Sequence, residues 1–165
     1  MRILGIDPGI ALTGYGVIEE SNNKLIPLAY SSISTPAGMA SEKRITIIYD
    51  SLMEIISEYK PDEVAVEELF FNRNVTTALL VGQARGVVLL AAAKSGLKIE
   101  EYTPLQVKQA LTGYGRADKN QVGEMVKMNL CLQSIPKPDD TADALAVAIC
   151  HAFSYNMNRR LKEGK

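Results

Sequence analysis

Two short apolar runs in this chain each end on a carboxylate, ILGID at residues 3–7 and EVAVE at residues 63–67. A lone charge at the end of a buried strand costs several kcal/mol unless something pairs with it. Pro8 and Gly9 stop the first run directly after Asp7. If the two strands are parallel neighbours, Asp7 and Glu67 emerge together at the carboxyl-terminal edge of a sheet, where α/β folds bind ligands. On EVAVE, Val64 and Val66 share one face and Ala65 and Glu67 the other, so Glu67 rather than Glu68 is expected to face the site.

The rest of the chain supplies elements for such a sheet. RILGID at residues 2–7 reads as the first strand. TGYGVIEE and KLIPLAYSSIS form an antiparallel pair across Ser21-Asn22-Asn23. Apolar positions 45, 48, 52, 55 and 56 recur at helical spacing, with Ser41 as the expected N-cap and an end near Tyr59, before Pro61. Residues 75–95 predict a long helix, apolar on most of its circumference and stopped by Gly96, that is buried in the core or partly in an oligomer interface. KIEEYTP is a fifth strand, and PLQVKQALTG a compact helix with proline in its first turn. The loop GYGRADK, a helix through Leu130, the segment SIPKPDD and a last helix over about 141–155 complete the chain. The expected fold is α/β, a five-stranded mixed sheet flanked by helices. Residues 1–158 make a single domain and residues 159–165 a flexible basic tail.

Asp140 and Asp143 sit three apart at the start of the last helix and so share a face. The helix beyond them is apolar on nearly every side, which carries the pair inward. Taken singly, Asp7 could accept hydrogen bonds from turn amides, Asp140 could be only an N-cap, and Asp139 competes with Asp140 for the inward position. Together, four clustered carboxylates repel one another and call for protons or cations. Oxygen-only donors select hard cations such as Mg²⁺ or Mn²⁺. Two such ions about 3.5–4 Å apart suit in-line displacement at phosphorus.

Other chemistries are poorly supplied. The single histidine, His151, adjoins Cys150 on a helix, where neighbouring side chains diverge, so structural filler is its expected role. No phosphate-binding G-x-x-x-x-G-K-[ST] loop is present. Cys131 and Cys150 read as buried free thiols rather than a disulfide or zinc site. No stretch reads as a signal peptide or a membrane span, so a reducing cytoplasm is the expected compartment. A net charge of −1 hides an asymmetry. Residues 1–68 carry five basic and eleven acidic side chains, whereas residues 69–138 carry nine basic and four acidic. A locally basic segment suits a polyanionic partner even in a neutral chain.

GIDPG, TGYGVI, AVEELFFNRN, GQARG, QVKQALTGYGRADKNQV and DDTADALAVAICH, in that order, resemble the bacterial Holliday-junction resolvase family RuvC. The resemblance runs from Arg2 to about His151. It implies an RNase H-like fold, a homodimer, a branch-migration motor as partner, and Mg²⁺-dependent symmetric cleavage of four-way DNA junctions with two ions per active site. It implies catalytic and metal-binding roles for Asp7, Glu67, Asp140 and Asp143. Lys108 and Lys119 match its DNA-facing lysines, Phe70 an aromatic that stacks on a base near the junction centre, and Arg73 falls in the same DNA-binding stretch. An actin/hexokinase-type ATPase shares the D-x-G…T pattern of Asp7, Gly9 and Thr13, but such enzymes close two domains over ATP. An RNA-processing nuclease of the same fold and a non-catalytic junction-binding scaffold are the remaining alternatives.

Overall fold

The first strand, β1 (Arg2–Asp7), lies at the centre of a five-stranded sheet, with Ile3, Leu4 and Ile6 no more than 1% exposed. A strand apolar on both faces must be covered on both, which puts it in mid-sheet. The structure, a computed structural model, describes residues 1–22, 24–68 and 75–162. On one side β1 pairs antiparallel with β2 (Leu12–Ser21), which pairs in turn with the edge strand β3 (Lys24–Ser34). Ser21 faces Lys24 across the connection, and Asn22 adopts the left-handed backbone (φ 53°) that such tight turns require. On the other side β1 pairs in parallel with β4 (Glu63–Glu67), and β4 with β5 (Lys98–Tyr102). The order β3-β2-β1-β4-β5 confirms the five-stranded mixed sheet.

Helices cover the two faces. Leu4, Ile6, Val64 and Val66 pack with α1 (Ser41–Tyr59) and α2 (Val75–Lys94). Ile3, Ile18 and Ala65 point to the opposite face, against α3 (Pro104–Thr112), α4 (Lys119–Asn129) and α5 (Asp139–Lys162). α3 and α4 start with full capping boxes, Thr103 with Gln106 and Asp118 with Gln121, which fix where each helix begins.

How closely α5 lies on the sheet depends on glycine. A Cβ on Gly5 of β1 would run into the carbonyl oxygen of Ala144, and one on Gly14 of β2 into that of Asp140. Only a residue without a side chain admits a helix backbone at this distance. The glycines therefore bring the first turns of α5 down onto the ends of β1 and β2.

Three expectations differ from what is observed. Ala40, not Ser41, is the N-cap of α1, and no side chain caps it, because Ser41 is already the first helical residue. The last helix starts at Asp139 and continues to Lys162, past the expected end near Tyr155 and into residues 159–165. Met, Arg, Leu and Lys in NMNRRLK have good helix propensity and need no buried face to prolong an existing helix. Cys131 is exposed, in a left-handed conformation (φ 52°) just beyond α4, whereas Cys150 is buried as expected.

Gly5→Ala and Gly14→Ala are each expected to destabilise the fold by about 1–3 kcal/mol, since backbone rather than a flexible side chain must move aside. Thermal denaturation measures this, and an unchanged melting temperature would contradict the close contact.

Candidate active site

The parallel pairing Ile6↔Val66 sets Asp7 and Glu67 next to each other where β1 and β4 end. α5 runs back over the sheet with Asp140 in its first turn and Asp143 one turn further on. α3 and α4 close the remaining side. A cavity of about 330 Å³ is lined by Asp7, Glu67, Lys108, Lys119 and Asp143. Its apolar lining is Pro104, Val107, Val122 and Ala146. These were not foreseen as site residues, yet Pro104 and Val107 lie within a turn of Lys108, Val122 within a turn of Lys119, and Ala146 within a turn of Asp143. Helical spacing alone could have found them.

Asp140 is not in that lining, but its charge acts on both Asp7 and Asp143. Asp139 turns outward to Lys137, with Nζ 2.6 Å from Oδ1, and that bond holds its carboxyl below the ordinary range. Asp139 is exposed and Asp140 half-buried, an arrangement that favours Asp140 as the inward member, although Asp139 lines a neighbouring cavity with Lys119 and Asp143. As for the turn-cap alternative for Asp7, no backbone amide among the described residues donates to its carboxylate. Thr13, which follows the turn, instead donates its hydroxyl to the Gly9 carbonyl at 2.6 Å.

The electrostatics follow from crowding acids beside apolar walls. Burial, and then the charges of Glu67, Asp143 and Asp140, push Asp7 up to about 8. Glu67 rises to about 7 through burial and Asp143, opposed by Lys119, by a hydrogen bond with Asp7 and by Lys108. Asp7 and Glu67 titrate as a pair. Burial also raises Asp143, although Lys119 Nζ is 3.1 Å from its Oδ2. Asp143 in turn raises Lys119. Since the lysine side chain is 72% exposed, this ion pair is screened and weak.

Among the described residues, no three Asp, Glu, His or Cys side chains are drawn together tightly enough to cage an ion as they stand. The donor chemistry nevertheless fits a hard divalent cation. The donors are all carboxylates, and burial together with like charge raises Asp7, Glu67 and Asp143, a cost that a bound cation would relieve. Lys119 answers part of this negative charge.

Lys108 sits in the middle of α3, its carbonyl accepting from the Thr112 hydroxyl at 2.8 Å. Phe70, Phe71 and Arg73 lie outside the described residues. His151 is 2% exposed, with Nε2 2.9 Å from Glu63 Oε2 and Nδ1 2.9 Å from the Tyr102 hydroxyl. Burial lowers its pKa against the pull of Glu63. It ties α5 to β4 and β5 and takes no place in the cavity, in keeping with a structural role.

Residues 3–151 match the family model described as Crossover junction endodeoxyribonuclease RuvC. The chain belongs to the RuvC family. RuvC proteins from Desulfitobacterium hafniense (strain DSM 10664 / DCB-2) and Heliobacterium modesticaldum are 61% and 62% identical to it. The first alignment covers 98% of both chains, the second 93% of this chain and 95% of the relative. The structure of Thermus thermophilus RuvC in complex with Holliday junction substrate superimposes with a TM-score of 0.91 at 40% identity, over 96% of each chain. The RuvC fold is RNase H-like, and the sheet order and helix placement described above conform to it. Among the described residues no helix is long and apolar enough to cross a membrane.

The raised Asp7 carboxyl has a consequence for stability. The unfolded group loses its proton near pH 4, whereas the folded group keeps it to about pH 8. Between those values unfolding releases a proton, so stability is greatest at the acid end of this window and falls as pH rises. The metal-free protein is expected to melt at lower temperature at pH 8 than at pH 5. Asp7→Asn should flatten that dependence and stabilise the protein at pH 8, by on the order of 1–3 kcal/mol. Parallel melting curves of the two proteins across this range check it.

Proposed function

We infer that this RuvC-family chain is a structure-selective endonuclease that resolves four-way DNA junctions by paired symmetric nicks in recombination and repair. The observation that carries this is one cavity in which strand-end and helix-start carboxylates face two lysines from separate helices. Acids to bind cations and lysines to bind phosphate are what hydrolysis of a phosphodiester needs, and a nucleotide kinase would need a second domain.

Asp7, Glu67, Asp140 and Asp143 would hold the cofactor, which we assign as Mg²⁺, with Mn²⁺ as a substitute and two ions bound when substrate is present. When bound, the cations supply Lewis-acid stabilisation of the charge that builds up at the scissile phosphate. The protein's own groups do the rest. Lys119 can leave Asp143 for a backbone phosphate and so release a ligand when DNA arrives. Lys108 adds positive charge from the opposite helix, holding the strand without reading its bases. Val107, Val122 and Ala146 limit water around the acids, which strengthens every charge interaction in the cavity. Phe70 and Arg73 complete the DNA contacts in this reading, Phe70 by stacking on a base.

Paired nicks need two active sites. On α2, Leu79 and Leu90 are 66% and 52% exposed, and by helical spacing Gly82 and Gly86 lie on the same side between them. Among the described residues nothing lies within 4 Å of a Cβ built on either glycine. An open apolar face of this kind suits a second copy of the chain. A branch-migration motor that delivers junctions belongs to the same reading and rests on family membership alone. DNA as substrate makes the bacterial cytoplasm the place of work.

With Mg²⁺, a synthetic four-way junction should receive paired symmetric nicks, while linear duplex and an RNA–DNA hybrid stay intact. Preferential cleavage of the hybrid would favour an RNA-processing nuclease. Asp7→Asn should lower cleavage on the order of 10³-fold or more and leave junction binding within a few-fold of the parent. Separately, Leu90→Asp should shift the protein towards monomer in analytical ultracentrifugation and replace paired nicks by single ones; an unaltered mass would exclude α2 as the dimer face.

A further inference from the structure

Lys108 and Lys119 are supplied by α3 and α4, and the loop between these helices carries two further groups that the catalytic reading leaves unused. Tyr114 is 56% exposed and Arg116 is exposed as well. Among the described residues neither the phenol hydroxyl nor the guanidinium has a hydrogen-bond or ion-pair partner. Asp118, the nearest acid in sequence, is engaged in the cap of α4, accepting from the Gln121 amide at 2.8 Å. A free arginine beside a working lysine has no structural duty that would hold it there.

The loop itself is firmly built. Gly113 closes α3 in a left-handed conformation (φ 71°), and its amide donates to the Gln109 carbonyl. The Thr112 hydroxyl accepts from the Tyr114 amide at 3.1 Å, and the Ala117 amide donates to the Tyr114 carbonyl at 3.1 Å. Leu105 lies so close over Gly115 that a Cβ there would overlap it. Ala117 is 1% exposed and anchors the return into α4. Tyr114 and Arg116 are therefore displayed from a fixed turn, so that side-chain rather than backbone freedom is what a ligand must order.

Position supplies the ligand. Arg116 is three residues before Lys119, which lines the catalytic cavity, so their Cα atoms are at most about 11 Å apart. Phosphates recur every ~3.4 Å of helix axis along one DNA strand. A strand held at Lys119 and running towards this loop would reach Arg116 within roughly three nucleotides. Arginine and tyrosine are both regular donors to backbone phosphate.

We propose that Tyr114 and Arg116 form a second grip on the DNA backbone, which holds the cleaved strand a few nucleotides from the scissile phosphate. The Arg116 guanidinium donates to one phosphate and the Tyr114 hydroxyl to a neighbouring one. Because the ligand is backbone, the grip contributes affinity equally at every cleavage sequence. The proposal rests on the junction-resolvase reading.

The test uses the full chain with Asp7→Asn, which keeps the junction uncut, and measures junction binding by fluorescence anisotropy over a salt series. Adding Arg116→Ala should weaken binding about 10-fold near 0.1 M salt and reduce the slope of log affinity against log salt by about one. Arg116→Lys should restore most of that slope, and Tyr114→Phe should weaken binding by about 3- to 10-fold. Melting temperatures should not move, since both side chains are exposed. In the cleaving enzyme the loss should appear in KM rather than in kcat, to the same extent on junctions of different sequence. Unchanged affinity and slope for Arg116→Ala, or an effect on kcat alone, would overturn the grip while leaving the resolvase reading intact. A parent protein that fails to bind the junction at all would overturn both.

Discussion

The close contact of α5 with β1 and β2 is the constraint on which the rest of this molecule depends. α5 delivers Asp140 and Asp143, and the sheet delivers Asp7 and Glu67. The two sets meet only because Gly5 and Gly14 leave room for helix backbone against strand backbone. A methyl group at either position would lift the helix at the end where the acids converge. The glycines act at the level of packing, but what they determine is how strongly four carboxylates feel one another.

That proximity stores repulsion in the folded state. Burial and like charge raise Asp7, Glu67 and Asp143 together, while Lys119 and Lys108 relieve only part of it. The site is thus better suited to a protein carrying cations and DNA than to the chain alone. Away from this edge, the Glu63–His151–Tyr102 series pairs buried polar groups between α5 and the far strands.

Much of this was readable in the residues. A strand ending in Asp7 before Pro8-Gly9, and another ending in Glu67, carried the parallel pairing and its shared edge. The alternation in EVAVE placed Glu67 on the α5 face, as found. The proline-to-glycine span of PLQVKQALTG located α3 and with it Lys108, whereas Lys119, expected in the loop GYGRADK, is the first residue of α4. What sequence reasoning missed depended on tertiary approach or on weak local signals. Asp139 and Asp140 are equivalent until Lys137 takes the outer one, and the role of Gly5 and Gly14 requires knowing what packs on them. Ser41 failed as a cap because the helix began one residue earlier than its side chain suggested. Cys131 looked buried in an apolar run that turned out to end in a left-handed residue at the surface.

That last residue has a practical consequence. Of the two thiols in the chain, Cys150 is 1% exposed and Cys131 is open to solvent. A maleimide dye would therefore label one position without mutagenesis. The label would sit just past the end of α4, the helix whose first residue is Lys119, and α4 is packed on α5 rather than free to drift. Any shift of that helix as junction arms load would be reported optically from the native chain, at a point removed from the reacting phosphate.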